Sequence, residues 1–195
     1  MVPQLTGIRS KVLLALGGNL GSTIGSPTAG IRHSIGRLPE KGFVIRAVSR
    51  FFDTPCFPAG AGPDYVNASV AVETELTPLA ALAALHSIEA QLGRERTARW
   101  GMRTLDLDML AYDDLVCPDL ATYDLWRTLP PQDQIRATPD QLILPHPRLQ
   151  DRAFVLVPLA DIAPDWVHPV TKKTVTQMLE ALSPDDRQAV RPSQF

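Results

Sequence analysis

Residues 99–110 read RWGMRTLDLDML, and their interpretation decides both fold and function. Leu105, Leu107 and Met109 alternate with Asp106 and Asp108, the period-2 pattern of a strand with one apolar face. Side chains at i and i+2 point the same way, so both carboxylates lie on one face, their Cα atoms about 7 Å apart. Like charges on a half-buried face repel and resist desolvation unless cations compensate them. Hard oxygen ligands beside phosphates commonly hold Mg²⁺. From the spacing alone, a metal-holding pair and a solvated acidic edge fit equally.

The residues just upstream shift that balance. Arg94, Arg96, Arg99 and Arg103 crowd a short loop that contains Gly93 and Gly101. A helix C-terminus favours cations, which accounts for Arg94 and Arg96 but not for Arg99 and Arg103. Arginine forks suit phosphate oxygens, and arginines beside metal-holding carboxylates are a layout for phosphoryl transfer.

Working outward, 11–16 is a short apolar strand stopped by Gly17 and Gly18, followed by a helix over about 28–38. A second strand is expected over 43–52, a Pro/Gly-rich loop over 54–63 and a third strand over 65–75. The next helix starts at Thr77–Pro78 and stops at Gly93, with Leu79, Leu82, Leu85, Ile88 and Leu92 as its apolar stripe. A strand over 104–110 follows, then a proline-rich polar connection over 113–141 and a last helix over 175–182. Short strands and helices that do not strictly alternate favour an α+β fold.

Bulk properties narrow the function. The chain has 195 residues, 45% hydrophobic and 21% charged, which suits a single globular domain. A net charge of −2 excludes a global pull toward nucleic acid or anionic membrane, so neither partner is expected. Arg9 and Lys11 ahead of 12–16 imitate a secretory leader, but the apolar run is short and leads straight into GGNLG. Cys56 and Cys117 match no metal-ligand spacing, so free thiols in a cytoplasmic setting are expected.

The remaining candidates are less specific. Glu89, next to the apolar stripe, reads as a solvated helix residue, and GGNLG as a tight turn that matches no phosphate-loop fingerprint. His146, between two prolines, suits a turn, a metal ligand or a phosphate contact. Phe154 opens an apolar run and reads as core. Tyr65 and Asn67 share a strand face, either as an aromatic platform with a heterocycle-reading amide or as a packing pair.

Together these pieces resemble the 6-hydroxymethyl-7,8-dihydropterin pyrophosphokinase family. The segment IEAQLGRERTARWGMRTLDLDML is similar to the family signature ending RWGPRTLDLDIL, and GGNLG, DTPCF, PDYVNA, LPHPRLQDRAFVLVPL and IAPDW match in order. The resemblance implies a ferredoxin-like antiparallel sheet with helices packed on it, here with a long inserted loop over 113–141. It implies transfer of pyrophosphate from ATP to the pterin alcohol in folate biosynthesis, with two Mg²⁺ held by Asp106 and Asp108. Arg94, Arg96 and Arg103 would then neutralise phosphate charge in catalysis. Glu89, Arg94, Arg99, Arg103, His146 and Arg152 would seat ATP. Thr54, Pro55, Phe57, Tyr65, Asn67, Trp100 and Phe154 would line the pterin pocket. Gly18, Met102 and His86 stand where the family usually has serine, proline and glutamine. An RNA-binding module and a two-metal nuclease are rival classes. The net charge opposes the first, and the PDYVNA and DRAF pieces, which suit a small flat substrate, oppose the second.

Overall fold

The computed structural model describes residues 8–56, 62–91, 105–130, 133 and 137–194. Among these described residues six strands form one antiparallel sheet: β1 (Ser10–Gly18), β2 (Phe43–Val48), β3 (Phe52–Thr54), β4 (Tyr65–Thr74), β5 (Asp106–Tyr112) and β6 (Arg191–Pro192). β1 lies between β4 and β5, and β5 occupies one side of the sheet. The far edge of β4 is shared, with β2 pairing along 70–74 and β3 along 65–67.

The single strand expected over 43–52 is therefore two strands, and Ser49 explains the break. Its backbone N–H donates to Ser69 O, while its hydroxyl accepts the Ser69 N–H at 2.8 Å. A side chain thus replaces the ladder partner, and a register shift at Ile45–Ala47 bends the strand just before it. With β2 and β3 counted as one interrupted strand, the order is the βαββαβ of ferredoxin-like folds.

Strand alternation sends Val12, Leu14, Leu16, Val70, Val72, Leu107 and Met109 to one face. There they pack against helices α1 (Pro27–Arg37) and α2 (Pro78–Gln91) through Ile31, Leu85 and Ile88. Leu13, Ala71 and Leu110 face the other way, onto α4 (Ala153–Ile162) and α5 (Val175–Ala181). Each large aliphatic side chain buried in these two layers contributes roughly 1.5–3 kcal/mol of transfer free energy. A short helix, α6 (Pro184–Ala189), leads into β6.

Two expectations change. In α2 the buried residues are Ala81, Leu85, Ile88 and Glu89, whereas Leu79 is 68% exposed. Leu82 packs against the same core as Leu85 and Ile88, so among the described residues of the expected stripe only Leu79 turns to the cleft; Leu92 lies outside the described residues. The segment 113–141 is not simply an irregular loop, since it contains α3 (Leu120–Arg127). Asp119 caps that helix by accepting the Thr122 N–H at 2.9 Å, and Tyr123 buries it. Reciprocal backbone bonds between Cys117 and Leu144, at 2.9 and 3.0 Å, close the base of the segment. Cys56 and Cys117 are free thiols. Among the described residues no helix is long and apolar enough to cross a membrane.

Candidate active site

The sheet register builds the floor of a cleft. Asp108 lies opposite Ala15 on β1, which lies opposite Ser69 on β4. One step along, Asp106 lies opposite Gly17, which lies opposite Asn67. Direct cross-strand partners share a face, so both carboxylates and the Asn67 amide project on the α4 side. Small residues separate them. The cleft has a volume of about 1150 Å³ and is lined by all of these except Ser69, together with Thr54, Pro55, Tyr65, His146, Arg152 and Phe154.

Gly17 is small for a steric reason. A Cβ there would fall 2.8 Å from Asn67 Oδ1, inside any normal contact. The Asn67 amide is in turn fixed, because its Nδ2 donates to Thr54 Oγ1 at 3.0 Å. The turn after β1 adds a second anchor, with buried Asn19 donating to Pro63 O at 3.1 Å. GGNLG is thus more than a turn: its first glycine belongs to the cleft floor.

Glu89 corrects the expectation of a solvated helix residue. It is 2% exposed, and its Oε1 accepts the Leu107 N–H at 2.8 Å. A buried backbone N–H between the two aspartates needs an acceptor, and α2 supplies one. Phe154 also departs from its expected core position. It is 38% exposed at the cleft, with the Arg152 guanidinium 5.6 Å from its ring centroid.

His146 joins the cleft from beyond β5, where its N–H donates to Leu110 O at 2.8 Å. Its Nδ1 accepts the Arg148 N–H at 3.1 Å, which leaves the proton of the neutral ring on Nε2. Burial and the neighbouring Arg152 charge push its pKa down to about 3, against the opposing pull of Asp106. His146 is therefore a neutral hydrogen-bond donor at pH 7. The nearby Arg148 and Arg152 also line the cleft, so cations and carboxylates share one cavity.

A match to a protein-family model of 7,8-dihydro-6-hydroxymethylpterin-pyrophosphokinase spans residues 13–164. The chain belongs to this pyrophosphokinase family. A relative from Methylorubrum extorquens, named 2-amino-4-hydroxy-6-hydroxymethyldihydropteridine pyrophosphokinase, is 37% identical over 177 residues, 90% of this chain and 95% of that one. A Pseudomonas aeruginosa protein of the same name is 40% identical over 156 residues, 80% of this chain and 82% of its own. Among solved structures, wild-type Plasmodium falciparum HPPK-DHPS is similar with a TM-score of 0.60 at 17% identity. That likeness covers 91% of this chain but only 45% of the other, and it shows the fold.

Of the residues expected in this pyrophosphokinase site, the structure brings Thr54, Pro55, Tyr65, Asn67, Asp106, Asp108, His146, Arg152 and Phe154 to one cleft. Glu89 lies behind the cleft floor, bonded to β5. Phe57, Arg94, Arg96, Arg99, Trp100, Arg103 and Met102 fall outside the described residues. Gly18 pairs with Val66 at the end of β1, and His86 lines the cleft from α2.

Several lining residues were not anticipated, among them Gly17, Leu82, Leu142, Ile143 and Arg148. Arg148 carried a signal, since it stands four residues before Arg152 in PHPRLQDR. From the sequence, Tyr123 and Trp126 suit a surface loop folded on itself, the active-site rim or a partner; Tyr123 is buried and Trp126 lines the cleft, while Gly17 reads only as a strand stop.

Proposed function

We propose that this pyrophosphokinase carries out its reaction in the cleft over β5, β1 and β4, with the substrates laid end to end along the strand ends. The single observation that carries this reading is the register, which puts Asp106 and Asp108 beside the Gly17–Asn67 row. The pterin alcohol takes the β3–β4 end. Asn67 and Thr54 bond its edge, Pro55 lines its pocket, and Tyr65 and Phe154 offer aromatic faces. ATP takes the β5 end, with its phosphates above the two aspartates.

The donor set suits Mg²⁺. Among the described residues no group of three or more His, Cys, Asp or Glu could hold a metal by itself. Two carboxylates that leave positions open to water and phosphate oxygens match the preference of this ion. Asp106 and Asp108 would hold two such ions, which when bound would offset charge on the bridging and leaving oxygens.

The hydroxymethyl oxygen attacks the β-phosphorus in line, the bond from that phosphorus to the α-bridging oxygen breaks, and AMP leaves. The hydroxyl proton passes to a cleft carboxylate, for which we propose Asp108. His146 donates from Nε2 to a phosphate oxygen, and Arg152 stabilises phosphate charge. Glu89 acts from behind by holding the Leu107 N–H and thereby the pitch of β5. Matching motif positions extend the proposal to Arg94, Arg96, Arg99 and Arg103 on the phosphates and to Phe57 and Trp100 around the pterin. Residues 1–195 are proposed to form one domain acting on small molecules in the cytoplasm, with 113–141 as an addition to it.

The test is product identity. Incubation with ATP, Mg²⁺ and 6-hydroxymethyl-7,8-dihydropterin should release AMP and the pterin diphosphate in equal amounts. ADP as product, or no turnover, would overturn the proposal.

A further inference from the structure

The cleft does not end at the aspartates. Beyond β5, whose Leu110 O accepts the His146 N–H, its lining also takes in Leu142 and Ile143 of the segment leading to His146, Leu82 and His86 of α2, and Trp126. Trp126 belongs to α3, inside the segment that departs from the family pattern, and its side chain is only half-buried.

This helix is anchored. Tyr123, one turn before Trp126, is wholly buried, and its Oη lies 2.9 Å from Nε2 of the equally buried His168. His168 Nδ1 accepts the N–H groups of Val170 and Thr171, at 3.1 and 3.2 Å. The ring proton is therefore on Nε2 and is donated to the tyrosine oxygen. Trp166 braces the same imidazole edge-on, 5.7 Å between centroids. Residues three apart are neighbours on a helix surface. With Tyr123 locked into the interior, Trp126 is presented at the cleft wall rather than left on a free loop.

We propose that Trp126 is a positioning residue for the nucleoside half of ATP and contacts the adenine ring as part of an added wall. The inference rests on the reading above that Asp106 and Asp108 mark the phosphates. With the pterin on the β3–β4 side of them, the nucleoside must extend past β5. An aromatic ring among leucine and isoleucine side chains suits a flat heterocycle, whereas phosphate would seek the arginines. Stacking between a base and an aromatic side chain is a substantial and largely sequence-tolerant interaction.

The experiment compares Trp126→Ala and Trp126→Phe in the full chain, both checked for an unchanged melting temperature. Binding of AMP and of tripolyphosphate, which lacks a base, is measured by calorimetry at saturating Mg²⁺ alongside steady-state kinetics. Trp126→Ala should weaken AMP binding and raise KM for ATP about tenfold, leaving tripolyphosphate binding and KM for the pterin alcohol within about twofold. Trp126→Phe should restore most of the loss. Unchanged AMP affinity, or equal losses for AMP and tripolyphosphate, would overturn the inference. Asp106→Ala separates the two readings. If it weakens tripolyphosphate binding while Trp126→Ala spares AMP, only the inference falls; if it leaves tripolyphosphate binding intact, the phosphate assignment falls and takes the inference with it.

Discussion

Replacing Gly17 by alanine tests whether the cleft floor is as tight as its register implies. The added Cβ would stand 2.8 Å from Asn67 Oδ1, so that oxygen must retreat by about 0.6 Å to reach ordinary contact. It has little freedom to do so, because Asn67 is buried within β4 and its amide is tied to Thr54 at 3.0 Å. Rotating the amide away sacrifices that bond, and overpacking of this kind costs roughly 1–3 kcal/mol. Relief of glycine's backbone entropy returns about 0.5–1 kcal/mol. The net loss is about 1–2 kcal/mol, or a melting temperature lower by roughly 2–8 °C for a chain of this size. Urea and thermal unfolding measure it, and calorimetry with the pterin alcohol should show weaker binding, since the displaced amide is the proposed reader of the pterin edge. A double-mutant cycle identifies the cause. In an Asn67→Ala background the clashing oxygen is gone, so Gly17→Ala should cost less than about 0.5 kcal/mol, a coupling near 1 kcal/mol or more. If alanine at 17 costs the same with and without Asn67, the steric argument is wrong.

Further expectations concern groups the cleft depends on indirectly. Glu89→Ala strands the buried Leu107 N–H and should cost about 1–3 kcal/mol in urea unfolding, whereas Glu89→Gln, which keeps an acceptor oxygen, should cost less; an alanine variant as stable as the parent would refute the role. His168 has its pKa lowered to about 4 by burial and by Arg127. The unfolded chain therefore takes up a proton near pH 6.5 that the folded chain refuses, and stability should fall as pH drops from 6.5 toward 4. His146, at about 3, adds a contribution of the same sign, so His168→Gln should flatten the pH dependence of the melting temperature without abolishing it. An unaltered slope would count against the buried neutral imidazole.

The parts of this site that could be read from the chain are those with a local period or a fixed spacing. Alternation through Asp106 and Asp108 placed both on one face, and β5 has that form. Thr77 and Pro78 marked the start of α2, where Thr77 Oγ1 accepts the Ala80 N–H at 3.4 Å. Periodicity failed where a distant partner decides burial. Leu79 looked like core but faces the cleft, and Glu89 looked solvated but satisfies a strand N–H 18 residues away. α3 was hidden by the prolines around it, although Asp119 and Thr122 form a local cap. Its real anchor, Tyr123 to His168, spans 45 residues and leaves no local pattern. The need for glycine at 17 likewise belongs to a pair, since only the β1–β4 register reveals that Asn67 fills the space.

The central claim is that Asp106 and Asp108 together form the centre of pyrophosphoryl transfer. Single-turnover AMP release by Asp106→Ala and Asp108→Ala, at saturating ATP and Mg²⁺, tests it most directly. The fold of each variant is checked by its urea and thermal unfolding transitions before the rate is compared. Each should lose at least about 10²–10³-fold in rate. A folded variant that still releases AMP at a near-normal rate would contradict the account.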